Sequence, residues 1–372
     1  MTKNATQGGQ SGPNSTLMRQ AAKVKGYLIG GDFAGLQREI QQYMRWRKRR
    51  QQIGAAPIAP GQLDTVAATA VGHGAAQQKS ESEYWDDADI DLIRHASWLS
   101  AGGGALGQWA LDTLCADHQG DVAGTMLTHL GGKPLTGLRG LVLGCGDMVA
   151  EYRMFVDPRL QFAHIDAHDI SPASVERARQ VTDEQGLSVE YFVSDINRLE
   201  LPAETYDLVI CFYAYHHFTE VDAIAHQINR TLRPNGLFFT IDYVGERQQQ
   251  FSDDQMFFAN QFLKLLPPRY RRELDGRERQ QAQRIPVEFF SPDEAIRSDD
   301  ILAAIDQNMR VVRQYNWAGL LMPLLEGLGF NVSTSASDID MLRFLFEVDQ
   351  ALVKSGRIGP NFTMTMAGKK SV

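Results

Sequence analysis

The sequence predicts an α/β fold built on a doubly wound, mostly parallel sheet, and three observations lead there. The apolar run Leu141-Val142-Leu143 breaks into a glycine turn, Gly144-Cys145-Gly146-Asp147. Further apolar runs follow at regular spacing, alternating with segments of helical period. Two of those runs end in an aspartate, Asp169 and Asp195. A strand that breaks into Gly-x-Gly early in such a domain marks the ligand crevice.

The elements follow in order. Tyr84–Leu99 and Ala105–Leu114 read as helices ahead of the first strand, Gly140–Leu143. Met148–Val156 reads as a short helix, and Phe162–Asp166 as a second strand that could run on to Ile170. Ser171-Pro172 supplies an N-cap and first-turn proline for a helix ending near Gly186. Val189–Ser194 is the third strand. Tyr206–Tyr213 is the fourth, apolar enough to be buried on both faces. Thr219-x-x-Asp222 resembles a capping box for a helix that stops before Pro234-Asn235-Gly236. Gly236–Val244 is the fifth strand. The chain then turns polar and helical to about Asp306. Met309–Tyr315 is expected as strand six, Leu320–Leu328 and Ile339–Lys354 as helices, and Asn361–Ala367 as a final antiparallel edge strand.

This divides the 372 residues into a basic arm (1–52), a linker (53–80), a core (81–245) and helical insertions with the last strands (246–372). Residues 1–16 are polar and glycine-rich and are expected to be disordered, followed by helix ending in Arg45-Trp46-Arg47-Lys48-Arg49-Arg50. Residues 53–80 have the Ala, Gly, Pro and Gln content of a linker. The arm carries 10 Lys and Arg against 2 Asp and Glu, the remainder 27 against 43. An acidic body argues against nucleic acid as the main substrate. The arm is either a solvated helix face or a docking element for a protein partner or an anionic membrane surface. No run of about 18 apolar residues predicts a membrane span. The polar N-terminus and the scattered Cys115, Cys145 and Cys211 point to a reducing cytoplasm.

The residues around the glycines narrow the ligand. A dinucleotide fingerprint needs a third glycine where Val149 stands, and Asp147 sits where pyrophosphate would approach. A carboxylate there suits a cationic ligand without phosphate, which S-adenosylmethionine (SAM) is. Asp169, followed by Ile170, can accept ribose hydroxyls, with Asp166 as a rival. Asp195 can accept the adenine amine while Ile196 packs on the ring.

Leu141–Asp147, Asp169-Ile170-Ser171, Asp195-Ile196, Tyr206-Asp207-Leu208-Val209 and Leu232-Arg233-Pro234-Asn235-Gly236 resemble the successive motifs of class I SAM-dependent methyltransferases. Met148 and Asn235 stand where that family often has glycine. The resemblance covers residues 84–245 and extends more loosely to the end of the chain. It implies a Rossmann-like, doubly wound, seven-stranded sheet, with helical insertions after strand five and between strands six and seven. SAM would lie across the C-terminal ends of strands one to four, against Gly144, Cys145, Gly146, Asp147, Asp169, Ile170, Asp195, Ile196 and Phe212.

Methyl transfer from a sulfonium is an in-line displacement, so the protein must align the acceptor and, for a hydroxyl, help remove its proton. His216 and His217 follow strand four and are the candidate bases, with His216 preferred as nearer the strand end. Tyr215 and Tyr243 are candidate acceptor-pocket residues, and Tyr84, Trp85 and Trp109 precede strand one. Adjacent histidines are expected to diverge and chelate poorly, so no metal is expected. The sequence therefore predicts a SAM-dependent O-methyltransferase acting on a small polar acceptor such as a sugar, a glycan or a natural product. A SAM-fold scaffold acting through its arm, and a dinucleotide enzyme, are the alternatives.

Overall fold

The computed structural model describes residues 79–132 and 135–370. The expectations for residues 1–52, and for the linker up to residue 78, fall outside them. Seven strands form one sheet in the order β3-β2-β1-β4-β5-β7-β6. They are β1 (Leu135–Leu143), β2 (Leu160–Asp169), β3 (Glu190–Val193), β4 (Tyr206–Phe212), β5 (Leu232–Tyr243), β6 (Arg310–Trp317) and β7 (Phe362–Gly368). The pairings among β1 to β5 are all parallel, and β7 is antiparallel to both its neighbours. The strand order reverses between β1 and β4, and that is where a doubly wound sheet opens its crevice.

The apolar runs divide by alternation between the two faces of the sheet. Val142, Leu208, Ile210, Leu237 and Phe239 bury into one layer. Leu141, Leu143, Val209, Cys211 and Phe238 bury into the other. Helices cover both faces, which is why β1, β4 and β5 read as continuous hydrophobic segments.

Among the described residues four α-helices precede β1: α1 (Glu81–Asp87), α2 (Ile90–Ala96), α3 (Ala105–Leu114) and α4 (Val122–Leu130). The single helix expected over 84–99 is broken, because Asp89 caps a new helix at Leu92 N. Ser80 and Glu83 form a capping box that starts α1 earlier than expected. The helix α4, which Asp121 caps, has no counterpart among the expected elements. The helix expected over 148–156 shrinks to α5 (Tyr152–Phe155), because the turn before it holds Met148 at φ +61°. A non-glycine residue held there carries strain of about 1 kcal/mol or more.

The helix α6 (Pro172–Gln185) matches its expected cap at Ser171 and its stop at Gly186. The helix α7 (Val221–Thr231) does not use the expected box at Thr219 and has no side-chain cap. Instead Asn197 Oδ1 accepts the N–H groups of Thr219 and Glu220, at 2.8 and 3.1 Å. Between β5 and β6 lie α8 (Asp253–Leu265), a stretch of turns, and α9 (Ile301–Asn308). Between β6 and β7 lie α10 (Leu321–Leu325) and α11 (Ala336–Lys354).

Strand β7 is not the edge strand the sequence suggests: it lies between β5 and β6 and is buried along its whole length. Its threonines gave the appearance of a wet face. They are buried too, with Thr363 donating to Asn316 Oδ1 at 2.8 Å and sharing a 2.8 Å contact with Thr365. Among the described residues no helix is long and apolar enough to cross a membrane.

Candidate active site

The glycine turn at the end of β1 is set by its neighbours. Gly144 has φ +69°, and a Cβ there would lie 2.3 Å from Ala214 Cβ. Gly144 is therefore the only residue type that lets the loop after β4 close against β1. Gly146 has φ +49° and faces open space within 4 Å. The turn thus presents bare backbone to the crevice, a cradle that side chains would fill. The N–H groups of Gly144 and Cys145 both donate to the His168 carbonyl, at 2.9 and 3.0 Å. The Cys145 side chain is buried, so only its backbone belongs to the crevice rim.

Asp169 ends β2 beside this turn. Its Oδ2 accepts Gly146 N–H at 2.8 Å and its Oδ1 accepts Ser171 N–H at 2.9 Å. Each oxygen keeps a second lone pair for a ligand hydroxyl. Burial raises its carboxyl above the usual range. Asp166 is removed as a rival, since it accepts from the Tyr206 hydroxyl and contacts His164, both at 2.6 Å. Tyr206 opens β4, so this contact turns Asp166 toward the start of β4, three residues back from the strand end that Asp169 occupies.

Other cofactor candidates are placed less simply. The cation that Asp147 accepts is the chain's own Arg94, in a forked pair at 2.5 and 2.6 Å that ties α2 over the turn. Asp195 caps the turn at Asn197 while staying partly exposed, and Ile196 is buried. Ile170 is half-buried, its carbonyl accepting from the Ser82 hydroxyl. Phe212 is a core residue, edge-on to Phe239. The cradle and the strand-end acids Asp169 and Asp195 fit SAM, which these residues would hold.

Glu151 behind the turn escaped the sequence reading. It is 5% exposed, and burial, with the charge of Asp147 adding to it, raises its carboxyl to about 8. The folded state therefore binds this proton more tightly than the unfolded chain, whose carboxyl titrates near 4.5. The stability it contributes is full below about pH 4.5 and is lost as pH rises through 8. Glu151→Gln should gain stability over the wild type between pH 5 and 9, by roughly 5 kcal/mol at the alkaline end. Parallel stability curves from urea unfolding would refute the buried acid.

The loop after β4 builds the second half of the site. Tyr213, at φ +55°, turns the chain so that residues 214–216 wrap around Asp242, the next-to-last residue of β5. Asp242 is fully buried and accepts N–H groups from Ala214, Tyr215, His216 and Tyr243, at 3.1, 2.7, 3.2 and 2.8 Å. It also holds His216 Nδ1 at 2.6 Å. That bond fixes the ring and turns Nε2 outward, where Glu294 Oε1 lies at 3.5 Å. The His217 ring sits 4.1 Å from the His216 ring, with Nδ1 3.1 Å from Glu81 and Nε2 3.7 Å from Glu294.

The expectation that these imidazoles diverge does not hold. They share one 3₁₀ turn, Tyr215–His217, and their Nε2 atoms face the same carboxylate. Burial works against a charged His217, but Glu294 and Glu81 beside it raise it to about 9. Burial likewise opposes charge on Glu81, yet the His217 contact and the Asp293 N–H and Trp85 bonds bring it down to about 2. Neither histidine caps α7, whose N-cap residue is Glu220.

Of the aromatics ahead of strand one, Trp85 reaches this cluster: it donates to Glu81 at 2.6 Å and stands edge-on to His217 at 5.2 Å. Tyr84 packs against Trp85. Trp109 packs on Phe346 instead. Tyr215 is not a lining residue, being fully buried with its hydroxyl donated to the Val221 carbonyl. Tyr243 is buried beside His216 and donates to the Glu246 carbonyl. Glu81 and Glu294 had no sequence signal, since each lies in a polar segment and gains meaning only when α1 and the insertion fold over the β4 loop.

Residues 141–240 match the family model described as "Methyltransferase domain". These residues form a methyltransferase domain. The matched residues run from the β1 apolar segment into β5, and so contain the glycine turn, Asp169, Asp195 and both histidines. The methyltransferase domain is similar to a ubiquinone biosynthesis O-methyltransferase of Methylocella silvestris. Identity is 32% over 29% of this chain and 40% of that protein. An uncharacterised methyltransferase of Bacillus subtilis is 26% identical over 28% of this chain and 40% of its own length. The chain thus spans about two-fifths of the length of the curated relatives it matches. Among solved structures, a SAM-dependent methyltransferase from Mesorhizobium loti aligns with 67% of this chain and 98% of its own, at 16% identity and TM-score 0.39.

Proposed function

We propose that this protein transfers a methyl group from SAM to a hydroxyl of a small polar acceptor, such as a sugar, a glycan or a natural product. The observation that carries the reading is the His216–Asp242 pair, set beside a glycine turn and strand-end acids that suit SAM. SAM supplies an electrophilic methyl on sulfur. The acceptor oxygen loses its proton and forms the new C–O bond, while the C–S electron pair stays on sulfur. Nε2 of His216, steered by Asp242, is placed to take that proton. Relatives named as O-methyltransferases support oxygen as the accepting atom. The acidic body supports a small molecule over nucleic acid. Glu294 reaches the cluster from the insertion between β5 and β6, so acceptor choice is assigned to that segment.

Calorimetry with SAM, S-adenosylhomocysteine and NAD tests the reading. SAM and its product are expected to bind and NAD to fail, and the reverse would overturn the proposal. Asp169→Ala should cost about 2 kcal/mol of SAM affinity, the scale of a charged hydrogen bond. Isotope-labelled SAM with cell extract, followed by mass spectrometry, then identifies the acceptor.

A further inference from the structure

Taking one proton needs one lone pair, but the cluster after β4 brings three donors together. One ring nitrogen of His216, one of His217 and one carboxylate oxygen of Glu294 lie within 4.8 Å of one another. Glu294 stands 3.5 Å from the first imidazole nitrogen and 3.7 Å from the second. Ligands about 2.0–2.1 Å from a tetrahedral ion lie about 3.4 Å apart. The two nitrogen–carboxylate separations, one to each oxygen of Glu294, are close to that edge, and the third lies within 4.8 Å.

The surroundings point the same way. Metal-binding imidazoles normally have their other nitrogen held by a carboxylate, which fixes the ring and its tautomer. Both rings here have that support: Asp242 lies 2.6 Å from Nδ1 of His216, and Glu81 lies 3.1 Å from Nδ1 of His217. Glu81 is itself oriented by Trp85, Ser291 and the Asp293 N–H. Three carboxylates, Asp242, Glu81 and Glu294, are buried around two imidazoles, a balance that favours a cation.

We propose that His216, His217 and Glu294 bind a divalent transition ion of the zinc class, leaving its fourth position open for the acceptor oxygen. Two imidazoles and one carboxylate select such an ion over magnesium or calcium, which prefer all-oxygen sets. Binding itself does not depend on the methyltransferase reading; only the use of the ion does. There it would act as a Lewis acid that lowers the pKa of the acceptor hydroxyl, whose proton passes to solvent; with Nε2 on the ion, His216 is a ligand, and this use replaces its role as base.

The test is calorimetric titration of the metal-stripped full chain with Zn²⁺, alongside the visible spectrum of the Co²⁺ form. One ion per chain with micromolar or tighter affinity is expected, with the intense Co²⁺ bands of a four- or five-coordinate site. His217→Gln and Glu294→Gln should each weaken it at least 30-fold, while thermal melts show that both variants fold. Mg²⁺ at the same concentration should not compete. The proposal fails if the wild type binds no stoichiometric ion, if both variants bind as the wild type does, or if Mg²⁺ displaces Zn²⁺. SAM titration of the same samples separates this outcome from the fate of the methyltransferase reading.

Discussion

Replacing Asp242 by asparagine is expected to cost about 3 kcal/mol of folding stability and at least about 100-fold in kcat. The substitution keeps the shape of the side chain and changes only its hydrogen-bonding character. Four backbone N–H groups and an imidazole nitrogen converge on two carboxylate oxygens with no exposure to water. Asparagine offers one oxygen, and its amide nitrogen must then point at groups that are themselves donors. The loop from Ala214 to His216 loses its anchor, and the His216 ring loses the partner that fixes its orientation. Urea unfolding reads the first effect and turnover of the identified acceptor reads the second. A variant that kept wild-type stability would show that the buried carboxylate is not what closes this loop.

Gly144→Ala is expected to be nearly as severe, at about 3 kcal/mol of stability and about 100-fold in SAM affinity. Two costs add. The residue sits at φ +69°, and its new methyl would lie 2.3 Å from Ala214 Cβ, a side chain anchored by the loop around Asp242. Gly146→Ala provides the contrast. It has φ +49° but no atom within 4 Å of the added Cβ, so only the backbone strain of about 1 kcal/mol is expected. Equal effects of the two substitutions, measured by denaturation and SAM calorimetry, would rule out the close approach of the two loops as the cause.

Much of the cofactor half was legible in the sequence because its information is local. The glycine turn follows directly on β1, Asp169 lies two residues before the cap of α6, and Asp195 follows β3 by two residues. Strand burial was legible for β4, whose apolar run has no alternation. It was misread for β7, because threonines that bond to one another look the same in sequence as threonines that face water. The acceptor half was only partly legible. His216 and His217 announce themselves, but what they do depends on Glu81 and Glu294, more than 60 residues away in either direction. Arg94 likewise meets Asp147 across 53 positions, turning an expected ligand contact into an internal ion pair. No periodicity or spacing rule links such pairs; only the closure of α1, α2 and the insertion over the sheet does.

The place of β7 has a consequence for how the chain is made. It fills the gap between β5 and β6, and its residues are the last of the sheet to leave the ribosome. Until they do, β5 and β6 each present a row of unpaired backbone groups beside an apolar slot, the arrangement that invites pairing with another nascent chain. The central ladder of β1, β4 and β5, with the glycine turn and the Asp242 anchor, can form before that slot is filled. Completion of the sheet cannot. The interval between the synthesis of residue 317 and that of residue 368 is therefore the window in which these two strand edges stand open to pairing with another chain.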